Sequence, residues 1–136
     1  MQTPEYWDEK HLMCFLYLSV ALSDQVITPE EKTVIDLKLK NLLNERYKLS
    51  DSEQRSIINE VHRFSSENKD AHMSTINTLS QKITLAPDTY CFLLNELEEI
   101  ARANTFVPIE AHSFMFYIRL KFKKDYPSRQ TSQFLA

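Results

Sequence analysis

The chain has no glycine in 136 residues, where ordinary usage near 7% gives about nine or ten. Glycine takes positive φ without strain. Two-residue primed hairpins, phosphate-cradling loops and dinucleotide fingerprints are all built on it. Its absence points to helices joined by turns that use Asn, Asp, Ser and Pro. No stretch sustains the alternation of apolar and polar residues that marks a strand, so none is predicted.

The spacing of apolar residues predicts six helices, over about 5–23, 29–44, 50–64, 71–85, 88–103 and 109–124. The middle of the first is apolar nearly all round, which marks a helix buried on most sides. In the second, Val34, Ile35, Leu39, Leu42 and Leu43 face inward. Ser50 and Glu53 form a capping box that opens the third, whose stripe is Ile57, Ile58, Val61 and Phe64. In the fourth, Met73, Ile76, Leu79 and Ile83 face inward, and Pro87 and Pro108 open the fifth and sixth. The fold class is all-α, a compact bundle of six to seven helices. Residues 1–125 form one domain and 126–136 a loose C-terminal tail.

A repeat lies inside this pattern. Displaced by eighty positions, Met13 meets Leu93, Tyr17 meets Leu97, Val20 meets Ile100 and Ala21 meets Ala101. These positions are three, four or seven apart and form one helix face in each copy. Beyond them Asp24 meets Asn104, Ile27 meets Val107, Glu30 meets Glu110 and Val34 meets Phe114. Asp or Asn at the corner satisfies nearby backbone groups, and the β-branched residue pins the loop to the core. Thr28, Pro29 and Glu31 form a second capping box, whereas Val107 before Pro108 offers no side-chain acceptor. The expected result is two pseudo-symmetric helical hairpins around a central helical pair.

Ser23-Asp24-Gln25 with Ile27 and Glu30-Glu31, and Ala103-Asn104-Thr105 with Val107 and Glu110, resemble the paired motifs of the TerB-like family. This is the small helical domain of tellurite-resistance operons. Its members carry Ala-Asp-Gly, an aliphatic residue two further on and Glu, twice, and the resemblance runs from about Leu12 to Lys121. Gln25 and Thr105 stand where the family has Gly, and Asn104 where it has Asp, so the second loop has one negative charge fewer. The resemblance implies a non-catalytic module of stress response that joins protein assemblies and binds a divalent metal through acidic residues.

The metal candidates are Asp24, Glu30 and Glu31, with Asn104 and Glu110 from the second loop if the two approach. Oxygen donors of this kind suit calcium or magnesium. The same residues also serve structure alone: Asp24 satisfies its loop, and Glu30 and Glu31 complement a helix N-terminus. Asp8-x-x-His11 and Glu110-x-His112 have no matching second motif, and these histidines, with His62 and His72, are expected to be ordinary surface or half-buried side chains. No spacing gathers a Ser-His-Asp or Cys-His set, so no catalytic residue is assigned and no cleft of convergent titratable groups is expected. The alternative is a metal-dependent enzyme or small-molecule-binding bundle using His and carboxylates.

Net charge is −3, with no basic footprint for nucleic acid. Arg119, Lys121, Lys123 and Lys124 fit the cation-favouring C-terminal end of a helix. The opening MQTPEYWDEK does not have the composition of a signal peptide, and the apolar run Leu12–Leu22 is too short for a membrane span. Cys14 and Cys91 sit in apolar helical segments and are expected to be buried, reduced thiols of a cytoplasmic protein. Phe114-Met115-Phe116-Tyr117-Ile118 covers every side of a helix. Either that helix is buried between others or one side is presented to a protein partner, including a second copy of the chain. Tyr6 and Trp7, at the start of the first helix, are expected to extend such a surface.

Overall fold

The helix with no polar face lies at the centre. In a computed structural model, which describes residues 3–21, 29–102 and 109–122 apart from the side chains of 31, 69, 109–112 and 114, helix α1 (Glu9–Ala21) is buried at every position from His11 to Ala21. It packs against α2 (Pro29–Asn41), α3 (Asp51–Glu67), α4 (His72–Lys82), α5 (Pro87–Arg102) and α6 (Ile109–Phe122). Isolated helices shorter than about 12–15 residues are marginal in water. The 13 residues of α1 are therefore held by this packing rather than by their own propensity.

The described residues are all-α, with six α-helices at the six predicted places and no strand. The α1–α2 and α5–α6 pairs each pack as neighbours, and α1 lies against both members of the second pair. The eight matched core positions, Met13 and Leu93, Tyr17 and Leu97, Val20 and Ile100, Ala21 and Ala101, are all buried. The centre is α1 itself rather than the α3–α4 pair. The loops expected to hold Asp24, Ile27, Asn104 and Val107, and the tail 126–136, lie outside the described residues. No described helix is long and apolar enough to cross a membrane.

The Ser50–Glu53 capping box is present: Glu53 N–H donates to Ser50 Oγ at 3.3 Å, and Ser50 N–H to Glu53 Oε1 at 3.3 Å. Ile57, Val61 and Phe64 are buried behind it and Ile58 partly so. Asp8 caps α1, its carboxylate accepting from the Lys10 backbone N–H at 3.2 Å. Helix α2 widens at its end into a π-turn, Leu42–Arg46, closed by Leu49 N–H onto Leu43 O at 3.0 Å. Lys48 follows at φ 57°. A chain without glycine has placed a Cβ-bearing residue in the left-handed region, at a cost.

Three expectations on burial are corrected. Trp7 is not at the surface: it is 1% exposed, while its neighbour Tyr6 is 63% exposed. Cys91 is exposed, because it stands one position off the inward stripe Tyr90, Leu93, Leu97 and Ile100 of α5. Met73 is exposed for the same reason, lying off the line of His72, Thr75, Ile76 and Leu79. Apolar character permitted burial in each case; the neighbouring helices decided it.

Candidate functional site

Of the predicted metal set, Asp24 and Asn104 lie outside the described residues, as do the side chains of Glu31 and Glu110. Glu30 is exposed in the first turn of α2. Among the described residues, no group of three or more His, Cys, Asp and Glu is placed to hold a metal ion. His62 is exposed, as a surface or half-buried histidine would be, whereas His11 and His72 are buried more deeply than that expectation.

A polar groove of about 400 Å³ opens where α2 and its π-turn meet α5, lined by Lys38, Asn41, Leu42, Glu45, Arg46, Phe92 and Glu96. Four of these side chains, Lys38, Glu45, Arg46 and Glu96, are ionisable. The groove lies within the size range of small-molecule sites, and one wall is a π-turn, an irregularity frequent at functional sites.

One end of the groove is locked. Lys38 Nζ is 3.0 Å from Glu96 Oε2 and also bonds Glu99. Tyr17 Oη, from the buried α1, donates to Glu96 Oε1 at 3.3 Å. Burial works against the Lys38 ammonium, but the hydrogen bonds to Glu99 and Glu96 outweigh it and leave its pKa raised. Burial, then the Glu96 charge, pushes the Tyr17 phenol far above its usual range, so Tyr17 stays a neutral donor.

The other end is open. Arg46 donates one Nη2 bond to Thr89 Oγ1 at 2.7 Å, and its guanidinium carbon stands 4.7 Å from the Phe92 ring centroid. Glu45, beside it, is exposed. The guanidinium carries five N–H donors, of which the Thr89 bond uses one, and it also interacts with the Tyr47 hydroxyl.

Comparison with protein-family models, with characterised proteins and with solved structures finds no match. The groove and the surfaces around it therefore have to be read on their own chemistry.

A second polar cluster anchors the N-terminal segment. Glu60 Oε2 accepts from Trp7 Nε1 at 3.1 Å and from the Tyr6 hydroxyl. His11 Nδ1 is 3.0 Å from Asp8 Oδ1, and its Nε2 is 3.8 Å from Glu60 Oε1. Lys82 Nζ donates to the Glu5 carbonyl at 2.6 Å. The Asp8–His11 pair singled out from sequence is thus a cap and an anchor, with Glu60 from α3 completing it.

The residues of the groove were not picked out from sequence. A signal was present: Lys38, Asn41, Leu42 and Glu45 make one stripe of a helix, and Phe92, Glu96 and Glu99 another. Nothing in either stripe says that they face each other.

Proposed function

We propose that this protein is a non-catalytic helical interaction module of the TerB-like kind, acting in the cytoplasm in tellurite or stress resistance. The support for that kinship is the pair of hairpins with matched buried positions. The observation that carries the interaction role is on α6. Phe116 and Leu120, one turn apart, are 65% and 61% exposed, while Met115, Ile118 and Phe122 on the other side fill the core. Large apolar side chains adjacent on one exposed face favour a protein partner, and the occupant proposed is a second copy of the chain. Light scattering after size exclusion tests it: the wild type runs as a dimer and Phe116→Asp with Leu120→Asp as a folded monomer. A monomeric wild type at all concentrations overturns the self-association. The carboxylates of Asp24, Glu30, Glu31 and Glu110, with the Asn104 amide, are proposed to hold calcium or magnesium weakly; titration calorimetry giving no heat with either ion removes that clause.

A second reading, a small-molecule-binding bundle, is favoured by one observation: the groove between α2 and α5, with its π-turn wall and four ionisable side chains.

A further inference from the structure

We propose that the α2–α5 groove binds a free α-amino acid with an apolar side chain, an inference that rests on the small-molecule reading of that groove. The lining carries two cations, Lys38 and Arg46, and two carboxylates, Glu45 and Glu96. A phosphate or nucleotide meets two carboxylates there, and a polyamine meets two cations. A ligand with one charge of each sign meets neither penalty.

The partners already made decide where those two charges go. Both Glu96 oxygens are engaged, by Tyr17 and Lys38, and Lys38 is shared with Glu99. That end is closed. Arg46 donates one bond to Thr89, stands over the Phe92 ring and interacts with the Tyr47 hydroxyl, and its five N–H donors are enough to offer a carboxylate the two-pronged geometry a guanidinium favours. Glu45 precedes it and lines the same groove. Successive residues of an α-helix diverge round its axis, but the wider π-turn reduces the step between them and lets both face one space.

An α-amino acid carries its carboxylate and ammonium on one carbon. Adjacent cationic and anionic side chains are the matching pair, with the carboxylate on Arg46 and the ammonium on Glu45. The apolar side chain then lies along the Phe92 ring, with the Asn41 amide at the edge, while Leu42, which is 2% exposed, belongs to the core beneath them. A peptide end offers only one of the two charges and forfeits half the recognition.

The test is titration calorimetry, with amide chemical-shift mapping, using leucine and phenylalanine as probes on the full chain. N-acetyl-leucine, which lacks the ammonium, and leucinamide, which lacks the carboxylate, are the controls. The expected result is a Kd in about the millimolar range or tighter, shifts confined to the Lys38–Arg46 and Thr89–Glu96 segments, and at least about tenfold weaker binding of both blocked analogues. Glu45→Gln and Arg46→Lys each lose about tenfold or more while keeping the wild-type melting curve, because lysine keeps the charge but not the fork. Equal binding of leucine and either blocked analogue overturns the ligand class while leaving a small-molecule site in place. No shift in the groove with any of the four compounds overturns both the ligand class and the reading beneath it.

Discussion

Trp7 lies face to face with His11, ring centroids 5.6 Å apart and planes 13° from parallel. It also meets Phe64 at 5.0 Å and Phe15 at 6.3 Å, so one aromatic side chain ties the N-terminal segment to α1 and α3. Trp7→Ala leaves a large cavity at the join and is expected to cost about 3–5 kcal/mol. Urea denaturation followed by circular dichroism measures it, since Trp7 is the only tryptophan. A loss under about 1 kcal/mol, the range of a surface substitution, contradicts an anchoring role.

The same contacts set a pH dependence. Burial lowers the His11 pKa below 6.5, and the Asp8 hydrogen bond only partly offsets it. Burial lowers that of His72 too, against the Ser65 carbonyl. The unfolded chain therefore takes up these protons first as pH falls. Stability is full above about 6.5 and is lost as pH drops from there through the folded values. Glu60 runs the other way: burial raises its pKa, so its contribution is present below 4.5 and lost as pH rises through the folded value. Unfolding midpoints between pH 7.5 and 5.5 check this, with ~pH 6.5 as the expected onset. His11→Gln and His72→Gln each flatten the fall, and an unchanged slope in both variants refutes it.

Lys48 at φ 57° supplies a prediction of the opposite sign. A left-handed residue bearing Cβ costs about 1–2 kcal/mol, and glycine returns about 0.5–1 kcal/mol of that as lost chain entropy. Lys48→Gly is expected to stabilise the protein by roughly 0.5–1 kcal/mol, read as a higher urea midpoint at constant m-value. A lower midpoint means that the turn gains from lysine something that outweighs the strain.

The two thiols separate cleanly. Cys14 is fully buried, and burial pushes its thiol up to about 12, while Cys91 is exposed. A thiol reagent applied to the native chain is expected to modify Cys91 alone, with Cys14 reacting only after denaturant is added. Native Cys91→Ser that still reacts at the wild-type rate contradicts the burial of Cys14.

How far the chain is legible from its residues follows from what each property depends on. Helix positions depend on neighbours within a turn or two, so the Ser50–Glu53 box and the α3 stripe Ile57, Val61 and Phe64 were readable and stand as expected. That α1 is covered on most sides was readable too, because its middle has no polar face, but the centre was expected at the α3–α4 pair and only packing put α1 there. Burial of Cys91, Met73 and Trp7 was not, since apolar character says only that covering is tolerated, not which face a neighbour covers. The groove was hidden for a stronger reason. Lys38 and Glu96 are 58 residues apart and meet because α2 and α5 share a boundary in the bundle.

Sequence alone therefore determined that this chain is helical, where its helices fall and that the first is buried on most sides, because those properties are local or follow from hydrophobic periodicity. Only the tertiary structure decided which charged side chains face one another and that Trp7 is an anchor rather than a surface. Both depend on long-range packing geometry, in which many polar stripes are equally exposed along the chain but few are brought together in space.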